Sequence, residues 1–151
     1  MNDLRELYQE VILDHGRKPR NFGALPDANR EAHGHNPLCG DKLDVHVKVK
    51  DGIVEDVKFE GAGCAISVAS ASLMTEALKG MTEVDARNLF EKFHAMITGD
   101  EGVTPAQLED LDKLAVFSGV RDYPLRVKCA TLGWHTMNAA LENVGETVVT
   151  E

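Results

Sequence analysis

The fold is decided by the stretch LDVHVKVKDGIVEDVKF, residues 43–59. Apolar and polar residues alternate from Leu43 to Val49, a pattern that predicts a half-buried β-strand. Asp51-Gly52 then favours a tight hairpin turn, because these residue types adopt positive φ readily. Ile53 to Phe59 supplies the returning strand, with Ile53, Val57 and Phe59 expected on one face. The stretch therefore predicts a two-stranded antiparallel hairpin.

Outward from this hairpin, a weaker signal around Arg30 to His35 predicts a preceding strand, which completes a three-stranded antiparallel meander. The other apolar residues recur at helical spacing. Predicted helices cover Leu4–Leu13, Cys64–Leu78, Thr82–Ile97, a short segment that opens at Thr104, and about Leu125–Asn143. A small antiparallel sheet covered by helices is an α+β fold.

Length and composition limit the classes of function. With 151 residues, of which 43% are hydrophobic, the chain is expected to form one domain over residues 1–151. No apolar stretch approaches the roughly 20 residues of a membrane span, and the N-terminus is charged, so a cytoplasmic location without membrane contact is expected. The formal net charge of −9 argues against nucleic-acid binding, which needs a basic surface.

The three cysteines, Cys39, Cys64 and Cys129, are the candidate functional residues. An odd number of cysteines in a cytoplasmic protein favours free or metal-bound thiols over disulfides. Together with Asp41 they make four ligands, the number that a tetrahedral zinc site needs. The alternative is that they fill the core, since cysteine is commonly buried. Their positions at element boundaries favour the metal site, although the chain has no CxxC pair.

Local structure is expected to prepare these groups. Cys64 and Cys129 are predicted near helix N-termini, where unpaired amides and the helix dipole lower a thiol pKa. Cys39 and Asp41 would point to the same side of an extended segment, with Gly40 allowing close approach of the backbone. Arg126 precedes Cys129 by three residues and so shares its helical face. Arg126 could stabilise an anionic metal centre or contact a partner. The alternative is an ordinary surface arginine.

Separated motifs resemble those of one family. They are Leu13-Asp14-His15, Asn36-Pro37-Leu38-Cys39-Gly40-Asp41, Gly61-Ala62-Gly63-Cys64-Ala65-Ile66-Ser67 and Arg126-Val127-Lys128-Cys129-Ala130. In this order they are similar to the U-type iron–sulfur assembly proteins, the family of IscU and of the NifU N-terminal domain. Lys128 before the last cysteine, and the long segment from Gly99 to Tyr123, resemble the zinc-binding SufU branch.

The resemblance implies a fold, a cofactor and an activity. The fold is a three-stranded antiparallel sheet packed against about five to six helices. The cofactor is a zinc ion held by Cys39, Asp41, Cys64 and Cys129. The activity is that of a zinc-dependent sulfurtransferase, in which Cys39 accepts persulfide sulfur from a SufS-type cysteine desulfurase. The sulfur then passes to downstream cluster-assembly scaffold proteins, and Cys39 and Arg126 are the candidate catalytic residues.

Two other functions stay open at this point. The same ligands could hold transient iron or a [2Fe–2S] cluster, which would make the chain an assembly scaffold; Lys128, at a position where the scaffold branch usually has histidine, argues against it. The chain could instead be a non-catalytic interaction domain with a structural zinc. Structural zinc sites are usually closed and built from thiolate and imidazole, so Asp41 counts against this possibility.

Overall fold

A computed structural model describes residues 3–98, 111–142 and 148–149. The strands are β1 (Arg30–Asn36), β2 (Asp41–Lys50), β3 (Ile53–Ala62) and β4 (Val148–Val149). The helices are α1 (Asp3–Arg17), α2 (Ala65–Leu78), α3 (Glu83–Thr98), a 3-10 helix (Asp112–Asp122) and α4 (Pro124–Glu142). The predicted α+β fold is confirmed, with helices packed against a single sheet.

The sheet has the strand order β3-β2-β1-β4. The predicted meander is confirmed, because β2 pairs antiparallel with both β1 and β3. The expected strand count was one too low: β4 adds a fourth, parallel strand beside Gly34 and His35 of β1. Two residues are too few to show the alternation by which a strand is recognised in a sequence.

The hairpin turn between β2 and β3 follows the prediction, with φ of 54° at Asp51 and 77° at Gly52. Two consecutive positive φ values match the right-handed twist of the flanking strands. The prediction that Ile53, the first residue of β3, shares the face of Val57 was wrong. Ile53 is 42% exposed, whereas Val54 is fully buried. A register shift between Lys48 and Val49 moves the inward positions by one residue.

Helices α2 and α4 cover one face of the sheet and hold each other in place. The hydroxyl of Ser70 on α2 donates to the carbonyl of Ala130 on α4 (2.5 Å) and accepts from the indole of Trp134 (3.2 Å). Strand β1 approaches α4 closely at Gly34, where a Cβ would lie 2.0 Å from Thr136 Oγ1. These contacts fix the position of α4 relative to both the sheet and α2.

The far side of α4 packs on an aromatic cluster. Trp134 stacks on Phe93 of α3 at a centroid distance of 4.7 Å, and Phe117 of the 3-10 helix meets Phe93 edge-on. The 3-10 helix Asp112–Asp122 was not predicted from the sequence. The short helix that was predicted to open at Thr104 lies outside the described residues. In the part of the chain that is described, no helix is long and apolar enough to cross a membrane.

Candidate metal centre

Cys39 lies in the turn that joins β1 to β2, and its side chain is exposed. An extended segment was predicted here, but residues 37–40 form a turn. Gly40 has a φ of 71°, and nothing lies within 4 Å of the Cβ that another residue would carry there. Glycine is therefore needed for a left-handed backbone rather than for the close approach that was expected.

Asp41, the first residue of β2, is fully buried. Its Oδ1 accepts a hydrogen bond from the backbone N–H of Cys64 at 2.8 Å, and its Oδ2 lies 4.0 Å from Cys64 Sγ. The absence of a side chain at Gly63 leaves room for this carboxylate, since a Cβ there would lie 2.6 Å from Oδ1. The carboxylate is thus held in one orientation, with Oδ2 toward the sulfur of Cys64.

Cys64 is the residue immediately before α2 and caps its N-terminus, as the sequence predicted. Its Sγ accepts a hydrogen bond from the backbone N–H of Ser67 at 3.4 Å. Sulfur occupies the capping position that an oxygen usually fills, close to the positive end of the helix dipole. This arrangement stabilises negative charge on the Cys64 sulfur.

Cys129 lies deeper than predicted. Helix α4 begins at Pro124, so Cys129 is in the second turn, beyond the unpaired N–H groups of the helix end. Burial raises the pKa of the Cys129 thiol, and the hydrogen bond to Cys39 and the charge of Cys64 act in the same direction. The expectation that its helix primes Cys129 as a thiolate was therefore wrong.

The turn, the start of β2 and α4 bring three of the four predicted ligands together. The ligand atoms of Cys39, Asp41 and Cys129 all lie within 4.8 Å of one another. The Cys129 thiol donates to Cys39 Sγ at 3.0 Å. Cys64 borders this group through its contact with Asp41 Oδ2. Two thiols and a buried carboxylate, with a third thiol beside them, are donors that zinc accepts, so the residues fit the metal.

Arg126 does not join this group of donors. It is exposed in the first turn of α4. It lines a groove of about 580 Å³ between α1, the 3-10 helix and α4, together with Tyr8, Ile12 and Tyr123. This position suits contact with another molecule, and the role predicted for Arg126 stays a prediction.

Asn36 was given no role from the sequence, although it begins the motif that contains Cys39 and Asp41. Asn36 is the last residue of β1, is fully buried, and pairs with Asp41 across the two strands. Its amide nitrogen donates to Cys129 Sγ at 3.7 Å. The only sequence signal was its place three residues before Cys39.

Beside the candidate metal centre, His15 links α1 to α2. It is 5% exposed, and its Nδ1 is 2.7 Å from the hydroxyl of Ser72. The next residue, Gly16, packs on Ala65 of α2, where a Cβ would meet the Ala65 side chain at 3.3 Å. The start of α2, next to Cys64, is therefore supported by the end of α1.

Residues 7–130 match the NifU-like N-terminal domain. The chain therefore belongs to this family, and the resemblance inferred from the motifs is confirmed. It is 43% identical over 135 residues to the zinc-dependent sulfurtransferase SufU of Bacillus subtilis, covering 89% of each chain. It is also 40% identical over 141 residues to the iron–sulfur cluster assembly scaffold protein IscU of Thermotoga maritima, covering 91% of this chain and 94% of the relative.

Solved structures agree with the fold. The crystal structure of a SufU from Fervidobacterium islandicum superposes with a TM-score of 0.81 at 34% identity, covering 91% of this chain and 98% of that one. That protein is described as an iron–sulfur cluster assembly scaffold protein for the SUF system. A solved structure of a protein from this class thus shares the architecture described above.

Proposed function

We propose that this chain is a zinc-dependent sulfurtransferase that accepts persulfide sulfur from a SufS-type cysteine desulfurase and hands it to a cluster-assembly scaffold. The observation that carries the proposal is a difference in solvent exposure among the metal-ligand side chains that lie close together. Cys39 is exposed on a turn, whereas Asp41 and Cys129, within 4.8 Å of it, are buried. A cysteine that both reaches the cluster of donors and faces solvent suits transfer to a partner.

Four residues are proposed to hold the metal: Cys39, Asp41, Cys64 and Cys129. Zinc, when bound, would keep the thiols deprotonated at neutral pH without redox chemistry of its own. Asp41 is oriented for this role by the Cys64 N–H, and Cys64 by the Ser67 N–H. These hydrogen bonds come from backbone groups at one helix end, so the two residues are positioned before any metal arrives.

Cys39 is proposed to be the residue that accepts sulfur. Its thiolate attacks the outer sulfur of the persulfide on the desulfurase. The sulfur–sulfur bond to the desulfurase cysteine breaks, that cysteine leaves as a thiolate, and Cys39 carries the new persulfide. Beside Cys39, nothing lies within 4 Å of the Cβ position of Gly40, so this side of the turn is open to an approaching partner. Exchange of this kind requires an accessible thiolate.

Desulfurase turnover tests the proposal. Alanine release by a SufS-type desulfurase is measured with the wild-type chain and with Cys39→Ala, Cys64→Ala and Cys129→Ala. We expect each cysteine variant to lose the stimulation. Lys50→Ala, an exposed change at the opposite end of β2 from Asp41, is the matched control and should stimulate normally. Full stimulation by Cys39→Ala would show that Cys39 is not the acceptor.

Arg126 is proposed to contact the partner. Its place in the groove beside Tyr123 puts a positive charge one helical turn before Cys129. In the same assay, Arg126→Ala should raise the concentration of chain needed for half-maximal stimulation and leave zinc content unchanged. Loss of zinc in this variant would instead indicate a role at the metal centre.

A scaffold that carries iron or a [2Fe–2S] cluster is the second candidate, favoured by the identity to the Thermotoga maritima scaffold protein. Metal content and the visible spectrum of the protein as purified separate the two candidates. About one zinc per chain and no colour support sulfur transfer. Iron with visible absorption supports the scaffold. The exposed Cys39 argues against a closed structural zinc site.

A further inference from the structure

The side chain of Asn36 connects the two cysteines that lie closest together at the candidate metal centre. It is fully buried at the end of β1, directly opposite Asp41 in the strand pairing. Its Nδ2 donates to Cys129 Sγ at 3.7 Å, and its Oδ1 accepts from the backbone N–H of Leu38 at 3.2 Å. One amide group therefore contacts the buried cysteine on α4 and the turn that carries the exposed Cys39.

Each of these two hydrogen bonds has a separate consequence. An N–H donor directed at a sulfur ligand stabilises negative charge on that sulfur, and such outer contacts adjust how firmly a ligand binds its metal. The bond to Leu38 N holds the backbone next to Cys39, so movement of Cys39 away from the centre must stretch or break it. The amide of Asn36 supplies both the donor and the acceptor of these two bonds.

We propose that Asn36 is a positioning residue that sets how readily Cys39 leaves the metal, an inference that rests on the proposed metal centre. Through Nδ2 it strengthens retention of Cys129 as the fixed ligand. Through Oδ1 it keeps the turn in the position where Cys39 reaches the same metal. Asn36 does not touch the transferred sulfur in this scheme, and it acts only through these two cysteines.

Asn36→Asp separates the two contacts. It has the same shape and keeps an acceptor for Leu38 N, but it replaces the donor facing Cys129 Sγ with an acceptor, which repels a thiolate. Asn29→Asp is the matched control: the Asn29 side chain also makes one donor and one acceptor bond, to the backbone of Val49, at the other end of β2. Both variants exchange an amide that makes one donor and one acceptor bond for a carboxylate, and only Asn36 faces the cysteines.

The first measurement is the rate at which the zinc-loaded chain gives up its metal to an excess of a chromogenic chelator. We expect Asn36→Asp to release zinc about 10–100-fold faster than wild type, the range typical of lost outer contacts to metal ligands. Asn29→Asp should stay close to wild type. A rate for Asn36→Asp within about twofold of wild type, or an equal rise in Asn29→Asp, overturns the inference.

The second measurement is the sulfur-to-metal charge-transfer band of the cobalt(II)-substituted protein. A group bonded to a ligating sulfur shifts this band, whereas general loss of stability does not. We expect a shift in Asn36→Asp and none in Asn29→Asp. If Asn36→Asp does not fold, Asn36→Ser is measured in the same way, and an unshifted band with wild-type zinc release overturns the inference.

The outcomes also separate this inference from the proposed function. Wild-type desulfurase stimulation with unchanged zinc release in the Asn36 variants contradicts the inference alone. Altered zinc release in the Asn36 variants without desulfurase stimulation by the wild-type chain contradicts the sulfur-transfer proposal alone. A wild-type chain that binds neither zinc nor cobalt contradicts both.

Discussion

Replacing Gly63 with alanine should weaken metal binding while leaving the fold in place. The new Cβ would lie 2.6 Å from Asp41 Oδ1, which is 0.8 Å short of the 3.4 Å at which ordinary contact begins. The carboxylate cannot simply swing away, because it is fully buried and bonded to the Cys64 N–H. A displacement of this size at a metal ligand corresponds to about 10–100-fold in affinity, or about 1.4–2.7 kcal/mol.

The assay is zinc competition against a chelator of known affinity, together with urea unfolding of the metal-free chain. Overpacking at Gly63 should cost the metal-free chain about 1–3 kcal/mol, partly offset by the smaller backbone entropy of alanine in the unfolded state. Gly119→Ala is the control, since a Cβ there meets nothing within 4 Å and its backbone φ is ordinary. Zinc affinity of Gly63→Ala within about twofold of that control would refute the reasoning about the Asp41 carboxylate.

Three further results are expected. A diazenedicarboxamide oxidant should join Cys39 to Cys129 in the metal-free chain, since their sulfurs lie 3.0 Å apart, and peptide mapping should find this bond rather than one to Cys64. Trp134→Ala should lower the free energy of unfolding by about 3–5 kcal/mol. Unfolding is measured by circular dichroism, because Trp134 is the one tryptophan in the sequence and its fluorescence is lost in the variant. Burial lowers the pKa of His15 in the folded chain. As the pH falls, the His15 imidazole is therefore protonated in the unfolded chain before it is protonated in the folded chain. Stability of the metal-free chain should therefore drop as the pH falls below about 6.5, the usual pKa of histidine, and His15→Gln should make the urea midpoint less sensitive to pH there.

The sequence predicted best where one local rule decides the structure. The hairpin at Asp51-Gly52 follows from two residues that adopt positive φ readily, and the capping position of Cys64 follows from the glycine-rich segment before a helix. Strand β4 was missed because two residues carry no periodicity, and they are ordered only by pairing with β1. The inward face at Val54 was missed because a bulge in β3 itself, where Glu55 has no partner on β2, determines it.

At the candidate metal centre, the motifs named the donors but not their surroundings. Whether Cys129 lies at the end of α4 or one turn inside depends on where that helix begins, and sequence rules place helix ends only to within a few residues. The role inferred for Asn36 depends on a sulfur 93 positions away along the chain, a relation that no local pattern records. Long-range pairing of this kind is visible only once the sheet and α4 are assembled.

The distance along the chain between Cys39 and Cys129, 90 positions, also has a consequence for biosynthesis. A ribosome adds about 5–20 residues per second, so the 65 residues from Cys64 to Cys129 take about 3–13 s to make. Throughout that interval the nascent chain displays two thiols whose buried companion does not yet exist. A metal ion captured during translation can therefore be held by at most three of the four donors, Cys39, Asp41 and Cys64, and full loading waits for α4 to leave the exit tunnel.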